Sequence, residues 1–127
     1  MAASIPQAVQ SCHELLLWLI PQLDKLPRAR RFTLGERIEA CLIEVLELLV
    51  EAAYARNKET PLRRANLRLE TVRHLWRVGF ELNDIATRQY EHGAKLIDGL
   101  GRQIGGWLRS RDQQSHPAHQ VPRVALQ

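Results

Sequence analysis

Cysteine, lysine and long apolar runs are all scarce in this chain, and each shortage closes a route. The two cysteines, Cys12 and Cys41, form no CxxC pair, which removes the usual zinc and thiol-redox motifs and leaves no disulfide framework. Both fall at apolar helical phase, where a free thiol packs as a small hydrophobe. The longest uncharged apolar run, "LLLWLIP" from Leu15 to Pro21, is far shorter than the ~20 residues that span a bilayer, and no basic start with a cleavage site precedes it. A cytoplasmic protein is expected, with no membrane partner. Strand-like alternation is missing throughout, as is any repeat beyond helical hairpins.

Catalytic templates are missing too. A di-iron bundle requires Glu-x-x-His on two helices, and no Glu stands three residues before any of the five histidines. His116 and His119 form an HxxH pair, but Pro117 and the aperiodic surroundings argue against a preorganised metal site. His13, His74 and His92 are isolated. Gly99 and Gly101 imitate the start of a dinucleotide fingerprint, yet no strand precedes them and the third glycine is misplaced. With no GxSxG, P-loop or paired-aspartate motif, neither an enzyme nor a bound metal or cofactor is expected.

What remains is helical periodicity. At 127 residues and 45% hydrophobic the chain supports one core. Four helices are predicted, at about 6–26, 33–56, 61–83 and 87–110. Pro21 falls late in the first. Thr33 and Glu36 fit a capping box for the second, Thr60 and Pro61 an N-cap and first-turn proline for the third, and Thr87 a cap for the fourth. Short connectors place sequential helices side by side, so the fold class is all-α, an antiparallel up-down-up-down four-helix bundle over residues 5–111. Residues 112–127 mix Pro, Gln and His without periodicity and are expected to be disordered.

Two features exceed what one bundle needs. Beside the core stripes of the second and fourth helices lie further apolar positions, among them Leu42, Leu46, Leu96, Leu100 and Trp107. Left in water, each large side chain forfeits ~1.5–3 kcal/mol, which predicts a homo-oligomer with these residues at its interface; a wide, irregular core is the other reading. The fourth helix also carries four glycines in "DGLGRQIGGWL", each costing up to about 1 kcal/mol against alanine. Gly101 and Gly105 fall on the core stripe, where bare backbone lets two helices approach closely. Gly99 and Gly106 fall on the outer face and join the predicted interface.

The charge balance, 18 Lys+Arg against 14 Asp+Glu for a formal +4, is mildly basic and almost entirely arginine. Arginine grips phosphate or carboxylate in a fork, although an arginine-rich genome gives the same bias. Arg28, Arg30 and Arg31 in the first connector have Asp24 as their one acidic neighbour in sequence and suit phosphate contact. The third helix bears Arg63, Arg64, Arg68, Arg73 and Arg77, the last two flanked by Glu70 and Glu81; a solvated ion-pair ladder is the plainer reading there. Arg102 and Arg109 share the outer face of the fourth helix with Lys95.

The stretches "LLLWLIPQLDKLPRARRFTLGERIE", "LLVEAAYARNK", "ANLRLETVRHLWR" and "YEHGAKLIDGLGRQIGGWL" resemble the accessory variability determinant proteins of prokaryotic diversity-generating retroelements. These are similar in turn to the four-helix-bundle proteins encoded in intervening sequences of bacterial ribosomal RNA genes. The resemblance implies a basic bundle that assembles as a homopentameric barrel, lacks catalytic activity, and binds the element's reverse transcriptase and template RNA during mutagenic retrohoming. It implies a polymerase-binding role for Arg73 and Arg77, which match the family's third-helix arginines. For template RNA, the candidates are Arg28, Arg30, Arg31, Arg63, Arg64, Arg68, Arg102 and Arg109. A stand-alone RNA-binding bundle of the intervening-sequence type, or a purely structural oligomer, are the alternatives.

Overall fold

The computed structural model describes the backbone of residues 6–126 and the side chains of residues 6–110. Every regular element among them is helical: α1 (Gln7–Leu23), α2 (Arg28–Arg30), a π-helical turn (Arg31–Gly35), α3 (Glu36–Tyr54), α4 (Glu59–Glu81) and α5 (Thr87–Leu126). Because α2, the π turn and α3 are contiguous, residues 28–54 behave as one helical stretch and the chain is a four-helix bundle. The principal packing partners of α1 are α3 and α5, and those of α4 are the same two helices. The expected disorder of 112–127 and the His116–His119 pair lie outside the residues whose side chains are described. Among the described residues, no helix is long and apolar enough to cross a membrane.

Two neighbours per helix explain where the surplus apolar residues go. A helix wedged between two others buries a far wider arc than the stripe that faces a single partner. Leu42 and Leu100, expected at an oligomer interface, are therefore core residues, 0% and 1% exposed, and Leu15 and Leu49 are buried with them. The interface expectation is corrected at both positions. Leu46, Leu96 and Trp107 are partly buried against the same core.

The helix ends follow local chemistry that partly departs from the expected caps. Thr33 does not open a helix, because the backbone is already helical from Arg28; its hydroxyl donates to the carbonyls of Ala29 and Arg30 at 3.2 and 3.4 Å. α3 ends at Tyr54, where the Lys58 ammonium donates to the carbonyls of Ala52, Ala53 and Ala55 at 2.8, 3.2 and 3.0 Å. A cation at a helix C-terminus satisfies orphan acceptors and the helix dipole together. The Glu59 N–H finds Asn57 Oδ1 at 3.1 Å, and α4 begins at Glu59, so Pro61 sits at the third position rather than the first. α4 closes in a Schellman motif, with Asp84 N–H on the Gly79 carbonyl and Asn83 N–H on that of Phe80, both 2.9 Å. Asn83 takes the left-handed conformation this requires, φ 65°, which asparagine tolerates better than most residues. At α5, the Tyr90 N–H bonds to the Ala86 carbonyl at 2.9 Å, placing Ala86 at the cap and Thr87 inside the helix.

Close approach of α4 and α5 depends on a glycine outside the four singled out above. A Cβ added at Gly93 would lie 2.6–2.8 Å from three atoms of the Trp76 indole. That indole is buried and donates Nε1–H to the Tyr90 carbonyl at 3.0 Å, so it has no room to withdraw. Gly101 does face α4, with Leu69 Cδ2 at 3.6 Å and Arg73 Nη2 at 3.3 Å. Gly105 does not: among the described residues only the Arg109 guanidinium of its own helix comes near, at 3.4 Å, and its expected role between helices is corrected.

Gly93→Ala is expected to lower the urea midpoint, because overpacking costs ~1–3 kcal/mol of stability against a helix-propensity gain of ~1 kcal/mol. Gly99→Ala, with nothing among the described residues nearer than Arg102 Nη2 at 3.8 Å, should show the gain alone. Burial also pushes the Cys12 thiol up to about 12. An unfolded chain ionises this thiol near its ordinary value of 9.0 while the folded one stays protonated, so its contribution makes folding less favourable as pH rises through that window. Cys12→Ala should flatten the alkaline limb of a stability-against-pH curve.

Candidate protein and nucleic-acid interface

The arginines of α4 sort by the company that the fold gives them. Arg73 donates from Nε and Nη2 to Asp98 Oδ1 of α5 at 3.1 and 2.9 Å, and from Nη1 to Glu70. Partial burial works against its charge, but the bonds to Glu70 and Asp98 and their negative charge outweigh this and raise its pKa. Arg77 Nε meets Glu81 Oε2 at 2.7 Å, and that hydrogen bond raises its pKa in turn. Arg68 reaches Glu44 of α3 at 3.0 Å, and Arg63 reaches Glu59 at 2.7 Å. Arg64 is exposed and makes no ion pair among the described residues.

The first connector divides likewise. Arg30, expected to be short of acidic company, has Asp84 Oδ2 at 2.8 Å across the bundle end; a partner 54 positions away is invisible to a reading of sequence neighbours. Arg31 donates from Nε to the Leu26 carbonyl at 3.1 Å. Arg28 is exposed and without an acidic partner among the described residues. On α5, Arg102 and Arg109 are exposed and meet no carboxylate among the described residues; their guanidinium groups lie instead over Gly99, Gly105 and Gly106 of the same helix. The nucleic-acid candidates thus split into ion-paired Arg30, Arg63 and Arg68, Arg31 on a backbone carbonyl, and outward-facing Arg28, Arg64, Arg102 and Arg109.

Apolar surface is exposed elsewhere than expected. Ile43, Val50 and Tyr54 follow helical spacing on the outside of α3, and Tyr54 is 89% exposed; Leu17, Phe32 and Leu67 are exposed on α1, the π turn and α4. The signal was present as apolar residues at positions seven and four apart, hidden by a helix apolar nearly all round. Phe80 and Tyr90 stack at 4.3 Å, and Trp18 packs against His92 at 4.7 Å, fixing the α4–α5 and α1–α5 seams beside the arginines.

Residues 7–111, which take in every helical seam just described, match the model of the bAvd-like family. The chain belongs to the bAvd-like family. No curated protein and no solved structure matches it. The match covers α1 to α4 and α5 as far as residue 111, and with them all ten candidate arginines.

Within this family member, Arg73 is as much a clamp between α4 and α5 as a surface charge. A double-mutant cycle of Arg73→Ala and Asp98→Ala should give a coupling of about 0.5 kcal/mol at low salt, since both groups are partly in solvent. The coupling should shrink on adding salt; zero coupling at low salt would show the pair to be energetically idle.

Proposed function

We propose that the chain is a non-catalytic accessory protein of a diversity-generating retroelement. It forms a homo-oligomeric, pentameric barrel that binds the element's reverse transcriptase and template RNA in the cytoplasm and enables mutagenic retrohoming. The observation that carries this reading is the bAvd-like match over residues 7–111. The bundle is read as up-down-up-down, because contacts that climb one helix descend its neighbour: Trp76 meets Gly93, and Leu69 meets Gly101.

The physical features support the parts unequally. Exposed Ile43, Val50 and Tyr54 on α3 offer the apolar area that self-association needs, together with partly buried Leu46, Leu96 and Trp107. A ring multiplies weak contacts per subunit into substantial avidity. Arg73 and Arg77 fit polymerase docking by exchange: a partner carboxylate replaces Glu70 or Glu81, both solvent-facing, with little loss of solvation. Those same carboxylates favour the second reading, a stand-alone RNA-binding bundle whose α4 arginines serve the fold.

Co-expression with the genomically adjacent reverse transcriptase, followed by affinity capture and sizing, decides between them. The expected result is a polymerase complex with a multimer of this chain, lost on Arg73→Ala/Arg77→Ala while the multimer persists. A monomer at micromolar concentration, or polymerase capture unchanged by the double variant, would overturn the corresponding half.

A further inference from the structure

The outer face of α5 carries a cation every seven residues: Arg88, Lys95, Arg102 and Arg109. All four are exposed, and none makes an ion pair among the described residues. At ~1.5 Å rise per residue the rungs stand about 10 Å apart and the ladder is about 31 Å long. Seven residues fall about 20° short of two full turns, so the ladder stays on one side of the helix and drifts slowly round it. Two carboxylates flank the ladder at helical-neighbour spacing, Glu91 between Arg88 and Lys95 and Asp98 between Lys95 and Arg102. Asp98 is held by Arg73, and Glu91 makes no ion pair among the described residues.

Between the rungs the surface is bare. Gly99 and Gly106 stand seven apart in the same stripe, and the nearest atoms to a Cβ at either are the guanidinium nitrogens of Arg102 and Arg109, at 3.8 Å. Among the described residues only these two flexible guanidinium groups come that near the helix backbone there. The stripe is completed by His92 and has no aliphatic side chain. A docking protein helix would find no apolar seam on it, whereas a polyanion needs none.

We infer that this face of α5 is a track for the phosphodiester backbone of a nucleic acid, running along the helix, with Arg88, Lys95, Arg102 and Arg109 as its phosphate contacts. The inference rests on the nucleic-acid half of the reading above and locates it on α5. Arg68, Arg73 and Arg77 of α4, already held by Glu44, Glu70, Glu81 and Asp98, contribute little to it. Arginine and lysine spaced along a straight line give affinity without base readout, so binding should be tolerant of sequence.

The test measures binding of a labelled oligouridylate against salt, from about 50 to about 200 mM, with sedimentation alongside. For single strands each phosphate contact contributes about 0.7 to the slope of log affinity on log salt. Replacing Arg88, Lys95, Arg102 and Arg109 together by glutamine should therefore flatten the slope by about 2.8 per engaged subunit. Arg73→Gln/Arg77→Gln should leave the slope as it is. A wild-type slope in the ladder variant, with RNA still bound, overturns the track and leaves the wider reading standing. No RNA retention by the wild-type chain overturns both. Loss of the multimer in the ladder variant overturns the track in favour of a second copy, whose acidic α3 edge at Glu44, Glu47 and Glu51 would be the occupant.

Discussion

The bundle depends on one indole lying against one bare backbone. Trp76 is almost entirely buried, and its Nε1–H donates to the Tyr90 carbonyl across the α4–α5 seam. Bringing the ring that close requires Gly93 to have no side chain. The same ring meets Trp18 of α1 edge-on at 6.0 Å, so a single side chain fixes the mutual distance of three helices. An indole fills much volume with few rotatable bonds, and a buried N–H left unpaired would cost about 1–3 kcal/mol. The position of α5, and with it every charge on the outer face of α5, follows from how that group is satisfied.

Charge on this molecule is organised by pairing more than by number. Of ten arginines with a claim to bind something, three are drawn into ion pairs that tie neighbouring helices or turns together: Arg73 to Asp98, Arg68 to Glu44, Arg30 to Asp84. Each is worth little in water, but each also removes a cation from the surface field. The outer side of α5 is different. Its cations face solvent without an ion pair among the described residues, and α3 on the diagonal presents Glu44, Glu47 and Glu51. A mild net charge therefore conceals a molecule with an acidic and a basic flank.

Helical periodicity alone made the four helices legible, because each core stripe repeats at three and four residues over five or more turns. The core of α4, from Leu62 to Gly79, lies where its spacing puts it. What stayed hidden depends on residues distant in sequence. Asp98 and Asp84 meet Arg73 and Arg30 across 25 and 54 positions, and Gly93 became necessary only once Trp76 was seen against it. Apolar width misled for a related reason: a wheel diagram shows how much of a helix is apolar but not how many neighbours it has. Leu42 and Leu100 read as surplus beside one partner and as core beside two.

The π turn at Arg31–Gly35 has a bearing on how this family can vary. A π turn holds one residue more than the α-helical turn it replaces, so the stretches on either side keep a phase relation that a regular helix of the same length would not have. Deleting one residue ahead of Gly35 in "RFTLG" would turn this into an α-helical turn with the flanking stretches close to their present phase, because the π turn spreads its extra residue over about the same rotation. The same deletion within α3 has no such slack and would rotate everything on one side of it by about 100°. Chain length in this turn can thus fall by one with Arg30 still facing Asp84 and Leu26 still seated against Gly35, whereas a residue added or lost within α3 turns its core stripe away from its neighbours.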